Sequence, residues 1–149
     1  MEENMDKNYL GSNIPKLGFG LMRLPMNGEV VDLEQTKKMV DAFMAKGFTY
    51  FDTAYVYPDS EAALGKILER NGVREKIKIA TKLPHYMIKT KDDAEKYFQE
   101  ELKRLKTDYV DYYLMHMLTD TDTWNRLKSL GIEEWITQKK ASGAIRQIG

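Results

Sequence analysis

Apolar positions along the chain fall into two alternating kinds of segment. Short apolar or aromatic runs of four to seven residues are followed by longer stretches in which apolar residues return at helical spacing. Leu17–Met22 reads as a first short strand. Asp32 then stands as N-cap of a helix from about Leu33 to Lys46, with Gln35 in the capping-box position and Leu33, Met39, Val40, Phe43 and Met44 on its apolar side. Gly47 is placed for a left-handed stop. Phe48–Phe51, β-branched and aromatic, predicts a second strand. Ser60 is expected to cap a second helix carrying Leu64, Ile67 and Leu68, ended by Asn71-Gly72. Ile77–Thr81 predicts the third strand. Thr90 caps a third helix with Asp92 and Asp93 in its first turn and a buried stripe of Ala94, Tyr97, Phe98, Leu102 and Leu105. Tyr109–Met115 predicts a fourth strand. One or two helices follow, around Thr123–Leu130 and Ile132–Lys140, Ser142-Gly143 stops them, and Ala144–Ile148 opens a fifth strand.

The order βαβαβαβα(α)β predicts a parallel sheet with right-handed crossovers. A doubly wound sheet and a (β/α)8 barrel share this local pattern. The first βα turn, Gly18-Phe19-Gly20-Leu21-Met22-Arg23, lacks the third glycine of a dinucleotide fingerprint, and a long loop follows it, which weakens the doubly wound reading.

Composition narrows the class. Lys+Arg and Asp+Glu are both 23, giving a formal net charge of zero, and there is no long basic block, so nucleic acid is not expected as a partner. No apolar run approaches the roughly 20 residues of a membrane span, and the acidic start Met1–Asp6 lacks the apolar core of a signal peptide. Cysteine is absent, which excludes disulfides and cysteine-ligated metal within these residues and fits a reducing, cytoplasmic location. The nine methionines read as core filling and substrate-side lining, and the mixed charges of Lys89–Lys106 as a solvated helix face.

Three polar residues stand at or just past the C-terminal ends of successive predicted strands: Asp52, Lys82 and His116. In a barrel those ends open onto one face. Tyr57 lies on the loop after Asp52. Taken singly, each has an ordinary structural reading as a cap, a surface lysine, a strand-end histidine or a loop aromatic. Together they make a proton-transfer set. A phenol, with an ordinary pKa of about 10, is a poor acid at neutral pH; an adjacent ammonium favours its phenolate; a carboxylate keeps that lysine charged; a histidine can orient a substrate oxygen. The set suits protonation of a carbonyl oxygen while hydride arrives from a cofactor, since no side chain donates hydride. His85 is expected either exposed or close to substrate, and Tyr55 as packing.

Several segments carry a family resemblance. Phe51-Asp52-Thr53-Ala54-Tyr55-Val56-Tyr57, followed by Ser60-Glu61 and Gly65, resembles the aldo-keto reductase signature D-T-A-x-x-Y…E…G. Ala80-Thr81-Lys82-Leu83-Pro84 is similar to its lysine segment, and Asp108–His116 to its D-Y-x-D-L-x-L-x-H strand. Leu17–Pro25 and Gly143–Gly149 are similar to its first and fifth strands. The resemblance runs in order over nearly the whole chain. It implies an α/β fold, a partial (β/α)8 TIM-type barrel of about four βα units plus a fifth strand, and the reduction of aldehydes or ketones with NADPH or NADH. It further implies Tyr57 as proton donor, Lys82 beside it, Asp52 paired with Lys82, and His116 orienting the carbonyl. Gly20, Leu21, Met22 and Asp52 match positions near the cofactor's ribose and nicotinamide. The wording is most similar to a bacterial branch that often carries a ferredoxin-like C-terminal segment, which these residues do not include.

A complete barrel of this type needs about 250 residues; this chain has 149. Residues 1–149 are therefore expected to form the N-terminal half of a barrel, cut from a longer enzyme. Unpaired strand edges and an apolar barrel-lining face would then favour self-association. The alternative is a non-catalytic fragment or accessory subunit that has lost cofactor binding, because fold alone does not fix function.

Overall fold

A computed structural model describes residues 15–70 and 72–149. The acidic start and Asn71, read above as part of a helix stop, lie outside the described residues. Five strands form one parallel sheet in the order β1 (Gly18–Gly20), β4 (Tyr50–Asp52), β5 (Lys78–Leu83), β6 (Val110–Met115) and β7 (Ile145–Ile148). Between them run α1 (Leu33–Ala45), α2 (Ser60–Leu68), α3 (Lys91–Leu105) and the consecutive helices α4 (Thr121–Ser129) and α5 (Ile132–Ala141). The long loop after β1 holds a small antiparallel hairpin, β2 (Met26–Asn27) with β3 (Val30–Val31), which the sequence pattern did not announce. Strand order follows chain order, as in a barrel being laid down strand by strand. A doubly wound sheet would reverse direction at a switch point.

The caps explain most helix boundaries. Asp32 Oδ1 accepts from the Gln35 N–H at 2.9 Å, and Gly47 follows α1 at φ 83°. Thr90 and Asp93 exchange the two bonds of a capping box at the start of α3. Ser60 departs from expectation. It is the first residue of α2, and Asp59, at φ 53°, takes the cap position without a side-chain cap bond. The Ser60 hydroxyl is instead occupied with Thr53 Oγ1 at 2.7 Å.

Strand alternation divides the sheet into two faces. Register pairs Phe19 with Phe51, Phe51 with Ile79, Thr81 with Tyr113 and Leu83 with Met115. Phe51, Ile79, Thr81, Leu83, Tyr113 and Met115 are buried on the helix side. There Phe19, Phe43 and Phe51 pack at ring distances of 5.3–5.8 Å, and Phe98, Tyr113 and Trp135 form a second aromatic group. The opposite face carries Asp52, Ala80, Lys82, Tyr112 and Leu114, with Tyr50 and Tyr112 in ring contact at 5.4 Å. The expectation of an apolar lining is thus corrected: that face carries an ion pair and two phenols. β1 and β7 each have one sheet neighbour, so two edges stay open among the described residues.

Helices α2 and α3 touch at Gly65. A Cβ there would stand 2.2 Å from the Arg104 carbonyl oxygen and 2.9 Å from the Leu105 carbonyl carbon. Only glycine permits this approach. The methionines are mostly not core: Met22, Met26, Met39, Met87 and Met117 are exposed, and Met115 is buried.

Candidate active site

Asp52 is the last residue of β4, Lys82 lies near the end of β5 and His116 follows β6 directly. Asp52 and Lys82 stand on the strands, not beyond them as the sequence boundaries placed them. Both lie on the sheet face opposite the helices, Asp52 in register with Ala80 and Lys82 with Leu114. The Tyr57 loop is short and internally tied. Tyr57 N–H bonds the Ala54 carbonyl at 3.1 Å, Ser60 N–H bonds the Tyr57 carbonyl at 3.2 Å, and the Thr53–Ser60 hydroxyl pair closes the loop.

The structure brings the four predicted residues together. Lys82 Nζ donates to Asp52 Oδ1 at 2.8 Å, to the Thr53 carbonyl at 2.7 Å and to the Tyr57 hydroxyl at 3.4 Å. The ammonium also lies 4.8 Å from the Tyr57 ring centroid. The Tyr57 ring meets the His116 ring edge-on, 5.7 Å between centroids. His116 is anchored by its N–H to the Leu83 carbonyl at 3.1 Å, and its side-chain Nδ1 is buried with no partner. Burial first, then the Lys82 ammonium and His85, push the His116 pKa below its ordinary 6.5, with Asp52 opposing. At neutral pH His116 is therefore a neutral imidazole, able to donate or accept one hydrogen bond.

The other phenols nearby are less suited to giving up a proton. Burial, with the Asp52 charge next, pushes Tyr50 up to about 12. Tyr55 is raised by burial and by its bond to Glu100 at 2.9 Å, and its ring packs on Tyr97 and under Arg104. This fits the packing role expected for it. Tyr113 is sealed and raised well above its ordinary value by burial and by Glu101. Tyr57 is the phenol that stands beside a lysine ammonium.

The positions matched to a cofactor differ among themselves. Gly20 is exposed with nothing within 4 Å of where a Cβ would stand, and Met22 is exposed. Leu21 is fully buried, its N–H bonded to the Asp52 carbonyl at 2.9 Å, so its side chain belongs to the core. His85 is buried, which removes the exposed alternative, and neither of its ring nitrogens has a partner. No cluster of three or more metal-ligating side chains occurs among the described residues, nor any helix long and apolar enough to cross a membrane.

A family model described as the aldo/keto reductase family matches residues 16–149. The chain belongs to the aldo/keto reductase family. It is 31% identical over 140 residues to methylglyoxal reductase DkgB of Salmonella typhi, covering 91% of this chain and 47% of that protein. It is 38% identical over 107 residues to aldehyde reductase YPR1 of Saccharomyces cerevisiae, covering 71% of this chain and 31% of that protein. Among solved structures, an aldo/keto reductase of Brucella melitensis aligns at TM-score 0.69 and 28% identity, over 91% of this chain and 48% of that one. An aldo-keto reductase of Klebsiella pneumoniae in complex with NADPH aligns at TM-score 0.70 and 24% identity, over 93% and 45%. The chain spans about half the length, or less, of these relatives.

Behind the tetrad this aldo/keto reductase chain holds a polar group whose joint burial sequence reading did not foresee, although Glu61, Thr81 and Tyr113 lie within the motifs quoted above. Glu61, Thr81, Glu101 and Tyr113 are buried together on the helix side of the sheet. Thr81 Oγ1 donates to Glu61 Oε1 at 2.6 Å and also faces Glu101 Oε1 at 3.2 Å. Tyr113 OH donates to Glu101 Oε2 at 2.6 Å, and Arg104 reaches Glu61 Oε2 at 3.4 Å. The solvated face expected for residues 89–106 is thus interrupted by a buried acid. Its signal was positional: Glu101 falls three residues after Phe98 and four before Leu105, on the stripe that packs against the sheet.

Proposed function

We propose that this chain supplies the proton-transfer side of an NAD(P)H-dependent carbonyl reductase acting on aldehydes or ketones. The observation that carries the reading is the Tyr57 hydroxyl at 3.4 Å from a Lys82 ammonium that is itself held by Asp52 and the Thr53 carbonyl. Tyr57 gives its proton to the carbonyl oxygen, and Lys82 stabilises the phenolate left behind. Asp52 pairs with Lys82 and holds it in place. His116, neutral and unpartnered at Nδ1, fixes the direction of the substrate oxygen. The nicotinamide, when bound, supplies the hydride. The open surface at Gly20, the exposed Met22 and the partly exposed Asp52 fit a flat ring approaching the β1 and β4 ends. A NADPH complex in a structure of the same fold supports the choice of cofactor class. The absence of cysteine accords with a reducing cytoplasm as the place of action.

The test is NADPH oxidation with an aldehyde panel, comparing wild type with Tyr57→Phe. Loss of a general acid costs about 10²–10⁴-fold in kcat. Activity undiminished in Tyr57→Phe would remove Tyr57 from the role. The open β1 and β7 edges also support self-association of the chain, because each leaves a row of backbone groups without strand partners. Light scattering after size exclusion is expected to show a dimer or larger species; a folded monomer at micromolar concentration would refute this.

A further inference from the structure

We propose that Glu101, bridged through Thr81 to Glu61, is a positioning residue that fixes the spacing between Tyr57 and Lys82. The inference rests on the reading of Tyr57 and Lys82 as the proton-transfer pair. Lys82 is fixed from β4, by Asp52 Oδ1 and the Thr53 carbonyl. The Tyr57 hydroxyl has no such second hydrogen bond; its backbone is tied within the loop and its ring meets His116. Its contact to Lys82, at 3.4 Å, is the longest of the three, at the limit of a hydrogen bond. What holds Tyr57 there is the end of its loop. Ser60 is tied to Thr53, and Glu61, four residues after Tyr57, is tied to Thr81.

Thr81 is the residue before Lys82 in β5. Alternation sends Thr81 to the helix side and Lys82 to the face opposite it. The bridge therefore couples the Tyr57 loop to the backbone of Lys82 from behind, out of reach of substrate. The Thr81 hydroxyl has a single proton and faces two carboxyl groups, so it cannot satisfy both. Glu101 completes the arrangement. It accepts the Tyr113 hydroxyl's hydrogen bond on Oε2 and faces Thr81 with Oε1, with Glu61 beside it. Burial first, then the Glu61 charge, hold Glu101's carboxyl well above the ordinary carboxylate range, while Thr81 and Tyr113 pull the other way. Glu61 is raised less, with Arg104 beside it. Both shifts favour a proton shared between the two carboxyl groups, held mainly on Glu101. The charged or titrating groups around this proton are Glu61 on α2, Tyr113 on β6 and Arg104 on α3 itself. Two bare carboxylates in this space would repel, and the bridge would open.

The experiment uses the full chain with ¹³Cζ-labelled tyrosine, the Tyr57 resonance being assigned by its loss in Tyr57→Phe. Lys82→Met defines the shift that follows removal of the ammonium. Glu101→Leu is expected to move the Tyr57 resonance part-way toward that position. Glu101→Gln, whose amide can donate to Glu61 and accept from Tyr113, is expected to leave it in place. Asp111→Ala, which removes the buried partner of Arg74 at the opposite end of the strands, should destabilise the fold without moving it. A folded Glu101→Leu with the wild-type Tyr57 resonance, or an equal shift in Asp111→Ala, would overturn the proposal. If Glu101→Leu does not fold, Thr81→Val is read on the same scale. No catalytic turnover enters these readouts, so the proposal can fail while the Tyr57→Phe kinetics still stand.

Discussion

Gly65→Ala tests which of two opposed effects governs α2. In an exposed helix interior, glycine to alanine gains about 1 kcal/mol from helix propensity alone. Here the new methyl would meet the Arg104 carbonyl oxygen at 2.2 Å, against an ordinary contact of at least 3.4 Å. The obstacle is backbone of α3, so no rotamer change relieves it. The helices must part by the difference, 3.4 − 2.2 = 1.2 Å. Overpacking of this kind costs roughly 1–3 kcal/mol. Parting α2 from α3 also stretches the Glu61–Arg104 contact and pulls Glu61 from Thr81, each worth about 1 kcal/mol or more when left partly unmade. Set against the helix gain, the net is a loss of about 2–4 kcal/mol. For a chain of this size that lowers Tm by about 4–16 °C, at 2–4 °C per kcal/mol.

The measurement is thermal unfolding by circular dichroism, with urea unfolding alongside to show a lower midpoint at unchanged slope. Gly20→Ala is the control, since a Cβ at Gly20 meets nothing within 4 Å; its Tm should stay at wild type. A Gly65→Ala variant as stable as wild type, or more so, would refute the close packing of α2 on α3 and return Gly65 to an ordinary helical position.

Two further outcomes concern pH and carry opposite signs. His116, pushed below 6.5 mainly by burial, contributes stability that is present above about pH 6.5 and is lost as pH falls through its lower folded value. Urea midpoints followed from pH 8 to pH 5 should fall less steeply in His116→Gln, and parallel curves would refute a buried neutral imidazole. Glu101, pushed up mainly by burial, behaves in reverse: its contribution is full below the ordinary 4.5 and is lost as pH rises through its raised folded value. Glu101→Gln should therefore gain on wild type as pH climbs from 4.5 toward neutrality, and a gain independent of pH would show that no proton is held there.

Sequence patterning carried the order of the main strands and helices because apolar residues recur at helical spacing, and two helices start at caps the sequence names, Asp32 and Thr90; the Asp120 cap of α4 went unread, and that helix was expected to begin at about Thr123. Patterning failed at Ser60, whose hydroxyl had a tertiary partner in Thr53; a cap residue recruited by a loop leaves no trace in local spacing. The tetrad was legible because its members stand at equivalent strand ends, and a parallel sheet turns that one-dimensional repeat into proximity. Residue type then limited what could be seen. A lysine or histidine at a strand end draws notice as chemistry, but the same logic hides an acid on a helix among lysines and glutamates. Glu101 belongs to a charged run by composition and to the core by phase. Had the three-and-four spacing of Phe98, Glu101 and Leu105 been weighed above charge, the buried acid would have been expected, and with it the need for a proton or a cation to neutralise it. The structure supplies both a Tyr113 donor and a carboxyl neighbour in Glu61. An acid kept there against its desolvation cost is poor stability design. That cost is explicable if the bridge sets a distance on the other side of the sheet, where about half an ångström at Tyr57 decides whether Lys82 bonds its phenol.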